Sequence, residues 1–241
     1  MDAWPVALRF VNSIHFLDFL IHDRHEIKHV VLCSTRESFV QELLSLVNTF
    51  ESEDNQEPEP ELLIALLQKL LTPNLNNLAL GRNTSIVFTP TLSHLRAYLA
   101  SRQLDARSTV RVSGGGSSRP PANPPLLAVY GSLDLHLGTS ELSAQGLSRT
   151  MSLATEATRS AGARLLMAEC DHIIEREIHE DAPSPRSDQS MSPFALQVPI
   201  LSRTPGYARN DRVWVGKTLP VRTVWARWCH IPSTSDKSLS L

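Results

Sequence analysis

Two carboxylates, Asp134 and Glu169, each stand close behind or at the end of a short apolar run, at 126–130 and 165–168. If those runs are strands of one open α/β sheet, the two acids share the crevice beyond the strand C-termini, where such sheets bind ligands. Paired acids there would suit a divalent cation, but metal–nucleotide chemistry also needs a phosphate cradle. Val215-Gly216-Lys217-Thr218 ends like GxxxxGK[ST], a loop whose glycines let backbone N–H groups converge on phosphate oxygens at a helix N-terminus. The first glycine of that pattern falls on Asp211, a carboxylate that repels phosphate, and Pro220 follows where a helix should begin. The spacing predicts a hairpin turn instead. Ser113-Gly114-Gly115-Gly116-Ser117 has no strand before it and no helix after it, so it reads as linker.

Other reactive types are present without partners at useful spacing. His22-Asp23-Arg24-His25, His136 and His172 form no HExxH pattern, and Cys33, Cys170 and Cys229 form no CxxC or Cys/His array. They are expected to be exposed or satisfied histidines and reduced, partly buried thiols of an intracellular protein. Gly131-Ser132 follows a strand, but no GxSxG frames it as a nucleophile. No catalytic constellation emerges, and no metal site or cofactor is expected.

The C-terminal stretch has a different chemistry. Arg203, Arg209, Arg212, Lys217, Arg222 and Arg227 face only Asp211, with Tyr207, Trp214, Trp225 and Trp228 interleaved. Cations alternating with aromatic platforms suit single-stranded nucleic acid. The same composition arises when tryptophans form the core side of a strand and arginines its solvated side. Both readings stand at this level.

The elements that must position these residues follow from apolar periodicity. Residues 29–33 (HVVLC) read as a central strand, and Ser34 three residues before Glu37 has capping-box spacing for a helix through about Thr49. Residues 85–88 predict the next strand, and Thr89-Pro90-Thr91 supplies a turn and the N-cap of a helix carrying Leu92, Leu95, Tyr98 and Leu99 on one face. Leu126–Tyr130 and 165–168 flank a long helix that Gly162 would terminate. Leu62, Leu63, Leu66, Leu67 and Leu70 form a further helical stripe, and 194–201, 213–215 and 221–228 read as strands. Repeated strand–helix units closed by a β-rich end predict an α/β domain with a mostly parallel central sheet. Residues 1–28 form a helical lead-in, 29–231 the domain, and 232–241 a frayed tail; 51–61, 103–125 and 171–193 are polar or proline-rich insertions.

The chain has 241 residues, enough for one sizeable core, and 23 Lys plus Arg against 25 Asp plus Glu. That balance argues against a wholly basic nucleic-acid binder and leaves a local basic face open. The N-terminus lacks signal-peptide layout and no apolar run approaches a membrane span, so no membrane association is expected.

From residue 29 onward the order of elements resembles the RecA-like core of the eukaryotic recombinase paralogues. VVLCSTRESFVQELL resembles the strand–helix after the phosphate loop, and SIVFTPTLSHLRAYLAS the next unit. LLAVYGSLDLHL with SAQGLSRTMSLATEATRSAGARLLMAEC resembles the acidic strand, helix and following strand, and FALQVPILSR opens the closing β-meander. The resemblance implies a RecA-like three-layer core. Tyr130 stands where that family's acidic strand ends in a carboxylate, so its ATP-binding residues do not carry over. Members without a phosphate loop resemble the non-catalytic subunits of the Shu complex, which assists recombinase filaments, and the small RecA-like subunits of Elongator, which acts on transfer RNA. The expectation is a nuclear, non-catalytic accessory subunit in homologous-recombination DNA repair, paired with another RecA-like subunit and touching single-stranded DNA through its basic edge. The alternative is a cytoplasmic Elongator-type assembly subunit. The loop that contacts DNA in that family is acidic here, with Asp171, Glu175, Glu177, Glu180, Asp181 and Asp188 against Arg176 and Arg186. A third reading is a small enzyme using Asp134 and Glu169.

Overall fold

A computed structural model describes residues 5–23, 25, 27–52, 72, 78, 81–101, 123–171, 192–201 and 217–232, the side chains of 49–52 aside. Short β-branched and apolar runs make the strands β1 (Val6–Phe10), β2 (Lys28–Leu32), β3 (Thr84–Phe88), β4 (Leu126–Tyr130) and β5 (Arg164–Cys170). They form one sheet in the order β1-β5-β4-β2-β3, and every pairing is parallel. Parallel sheets are covered on both faces, which is why β4 reads as an unbroken apolar run and all its residues are buried.

Helices α1 (Ser13–His22) and α2 (Arg36–Ser52) cover one face. There Phe16, Leu20 and Phe39 pack on Leu126, Ala128, Tyr130, Leu166 and Ala168. Helices α3 (Leu92–Ser101) and α4 (Ala144–Ala161) cover the other, where Leu95, Leu99, Leu147, Met151 and Ala154 meet Leu127, Val129, Leu165 and Met167. The two-residue period of a strand divides Leu126/Ala128/Tyr130 from Leu127/Val129, so the core has two halves separated by the sheet. The expected α/β class with a mostly parallel sheet is the observed one.

Local signals fix the helix ends. Within the expected Thr89-Pro90-Thr91 turn the cap is Thr91, whose hydroxyl accepts from His94 N at 3.2 Å, and Gly162 ends α4 in the left-handed region at φ 61°. At α2 the cap is Thr35, accepting from Ser38 N at 3.0 Å, rather than Ser34. Helix α1 is capped by Asn12, and the buried ammonium of Lys28 binds the carbonyls of Leu20 and Asp23 at its far end.

Three expectations change. The lead-in 1–28 is more than helical: β1 pairs along its whole length with β5, and His230 bridges to Val6 on its other edge. The expected strand 194–201 is a 3-10 turn at Pro193–Ala195 followed by the short β6 (Gln197–Pro199), paired antiparallel with β7 (Thr218–Pro220). The expected strand 221–228 is helix α5 (Val221–Trp225) and a turn. Val221, Val224 and Trp225 are buried at i, i+3 and i+4 spacing, and Pro220 occupies the N-cap, where its missing N–H costs nothing. Among the described residues the C-terminal end is a two-stranded antiparallel sheet and a helix. The leucine stripe at 62–70, strand 213–215, nearly all of the three insertions and the tail beyond 232 lie outside the described residues.

Candidate functional site

The C-terminal ends of β1, β2, β4 and β5 converge where an open parallel sheet presents ligands. On the α1/α2 side that place is filled by rings. Tyr130, the last residue of β4, stacks on Phe16 at 4.5 Å between centroids and meets Phe39 edge-on at 6.1 Å. Its hydroxyl lies 2.8 Å from Cys170 Sγ and donates to Glu42 Oε1 at 3.3 Å. Burial raises both the phenol and the Cys170 thiol above their ordinary ranges, so neither ionises near neutrality. Between β1 and α1 the chain turns through Val11 and Asn12, and the Asn12 carboxamide oxygen accepts from His15 N at 3.1 Å. The first turn of α1 is capped by its own chain.

On the α3/α4 side lies the pair of acids. Glu169 is fully buried on β5; its Oε1 accepts from Ser132 Oγ at 2.7 Å and from Leu133 N at 3.1 Å. Oε2 has no hydrogen-bond partner among the described residues. Burial is the main cause that pushes its pKa up to about 8, with the nearby Asp134 adding and the Ser132 and Leu133 bonds opposing. With no cation beside it the carboxyl is therefore mostly neutral at pH 7. Asp134 is exposed, beyond a turn in which Gly131 takes φ 73°. The structure brings the two acids close enough to interact, but as a β4–β5 clamp with one outlying charge. Cys33, at the end of β2, is buried and its thiol is raised by that burial first and by Glu169 second, which makes it inert. Among the described residues no three His, Cys, Asp or Glu side chains gather as metal ligands.

His22, His25 and His136 have hydrogen-bond partners, and His172 lies outside the described residues. His22 bonds Asp18 O at 2.7 Å and His25 bonds Pro124 O at 2.6 Å. His136 is buried, with Nδ1 donating to Glu141 O at 2.9 Å and Nε2 accepting from Thr150 Oγ at 3.1 Å. Burial lowers its pKa to about 4. Arg96 completes this network, reaching Thr150 Oγ, Glu141 Oε2 and Gly146 O at 3.2, 3.0 and 2.9 Å. It ties α3 to the start of α4. No short motif marks it, because its members are spread from 96 to 150 and meet only through helix packing.

The basic edge divides. Arg203, Arg209 and Arg212 lie outside the described residues, as do Tyr207 and Trp214. Lys217, Arg222 and Arg227 are exposed. Lys217 leads directly into β7, and its carbonyl accepts from Ile200 N at 3.2 Å, so a strand follows where a phosphate loop would open a helix; 211–216 lie outside the described residues. Trp225 is core, edge-on to Phe194 at 5.5 Å, and Trp228 packs half-buried against the same cluster. Trp225 is thereby committed to the core, while Lys217, Arg222 and Arg227 are solvated.

Comparison with known proteins returns no matching family model, no matching curated protein and no matching solved structure. No helix among the described residues is long and apolar enough to cross a membrane.

Proposed function

We propose that this chain is a non-catalytic, RecA-like accessory subunit that supports homologous-recombination DNA repair in the nucleus, acting through another RecA-like subunit and through single-stranded DNA at its basic C-terminal edge. One observation carries the non-catalytic part: the sheet's ligand-binding end is occupied by Tyr130, Phe16 and Phe39 on one side and by the neutral, clamped Glu169 on the other. The connection between β1 and α1 supports it. If β2–α2 corresponds to the unit after the phosphate loop, β1–α1 corresponds to the unit that carries the loop, and there it is a short capped turn without glycine. Lys217, Arg222 and Arg227, solvated on one C-terminal unit, support the nucleic-acid contact, with Arg203, Arg209 and Arg212 flanking them in sequence.

Affinity purification of the tagged full-length chain tests the reading. Recovery of a recombinase paralogue is the expected result; recovery of Elongator subunits instead moves the protein to transfer RNA modification. Stoichiometric ATP binding by the purified chain overturns the non-catalytic assignment.

A further inference from the structure

The C-terminal unit holds a cavity of about 560 Å³ whose described lining is Arg222, Ala226, Cys229, His230 and Ile231. That volume suits a nucleotide-sized group. Arg222 and Ala226 are one helical turn apart, joined by the bond from Ala226 N to Arg222 O, so they present along one face of α5 and its extension. His230, also in the lining, is held by backbone: Ala7 N donates to His230 O at 2.9 Å and His230 N to Pro5 O at 2.7 Å. Cys229 is buried, its thiol donating to Trp225 O at 3.3 Å.

Charge says what fits. The described lining contains no carboxylate. Arg222 and the neighbouring Arg227, like Arg36, Arg82 and Arg164, have no acidic partner among the described residues, whereas Arg9, Arg96, Arg149 and Arg159 pair with acids. An arginine fork beside an imidazole on a fixed wall recognises a phosphate. Ala226 and Ile231 give the same cavity an apolar side.

We propose that this cavity seats one nucleotide unit of a single-stranded nucleic acid, with Arg222 and His230 on the phosphate and Ala226 and Ile231 against the sugar and base. The proposal rests on the basic-edge reading above and adds to it His230, Ala226 and Ile231.

Fluorescence anisotropy of the full-length protein with a labelled oligothymidylate, over a salt series, tests it. Arg222→Ala weakens binding roughly tenfold and His230→Ala roughly threefold. Arg222→Ala also flattens the log K against log salt slope by about 0.7. Ala226→Glu, which sets a carboxylate in the cavity, weakens binding at least as much, while Arg159→Ala on the exposed face of α4 leaves it unchanged. Thermal melts verify that the variants are folded; the His230 wall is held through backbone bonds that the substitution keeps. Thymidine monophosphate displaces the oligonucleotide at lower concentration than inorganic phosphate. Wild-type binding with all three cavity variants unaffected overturns the cavity and leaves the basic edge standing. Absence of wild-type binding at about 50 mM salt overturns both. Equal displacement by phosphate and by the mononucleotide overturns the nucleotide assignment.

Discussion

Glu169 and His136 are both buried, and burial moves each toward its neutral form: the carboxyl up to about 8, the imidazole down to about 4. Their effects on stability against pH have opposite signs. For Glu169 the folded pKa lies above the ordinary 4.5, so its stabilising share is complete below that value and is lost as pH rises through about 8. For His136 the folded pKa lies below the ordinary 6.5, so its share is complete above that value and is lost as pH falls through about 4. Between 4.5 and 6.5 the two slopes cancel, and above 6.5 the Glu169 loss stands alone. Glu169→Gln keeps an oxygen for the Ser132 and Leu133 donors and removes the ionisation. Chemical denaturation across pH should show the variant near wild type at pH ~4.5 and more stable at pH ~8.5, by an amount on the order of a few kcal/mol. A wild-type-like decline in the variant would mean that another group governs the alkaline side.

The start of α4 shows how an element depends on one small residue. A Cβ at Gly146 would lie 2.1 Å from the Glu141 carbonyl oxygen, which is backbone and also accepts the His136 proton. Gly146→Ala must therefore push the 139–142 turn away and loosen the Arg96–Glu141–Thr150–His136 network at once. A loss of at least about 2 kcal/mol is expected in equilibrium unfolding, against less than ~0.5 kcal/mol for Ala144→Gln at the half-buried first residue of the same helix. The sequence made α4 legible through its apolar stripe and Gly162, and made β2, β4 and β5 legible as unbroken apolar runs. It hid α5, because five residues with Val221, Val224 and Trp225 fit a strand's alternation nearly as well as a helical stripe. It hid β1 because Arg9 interrupts a short run whose pairing with β5 is decided some 160 residues away in the chain, where Arg9 finds the Asp171 carboxylate. The candidate site was legible as a location, the ends of β4 and β5, but not as a chemistry. Whether Glu169 is a charged ligand or a neutral clamp depends on burial, which no local spacing records.

At the scale of the whole molecule, charge limits how nucleic acid can be held. With 23 basic and 25 acidic side chains the chain has no bulk attraction for a polyanion, so any binding must come from a few cations placed together. The C-terminal edge supplies Lys217, Arg222 and Arg227 on exposed positions, and Arg203, Arg209 and Arg212 in the stretch before them. Each phosphate neutralised on a single strand contributes about −0.7 to the slope of log K against log salt. Three contacts therefore give a slope of about −2 and six give about −4. A slope in that interval, measured with the same oligothymidylate, is the expected outcome. A markedly steeper slope would require cations from elsewhere, against the acidic balance of the rest of the chain. A slope near zero would remove phosphate contacts altogether and leave the protein's role to its partner subunit. Trp225 is already committed to the core beside Phe194, so stacking by it cannot substitute for the lost charge.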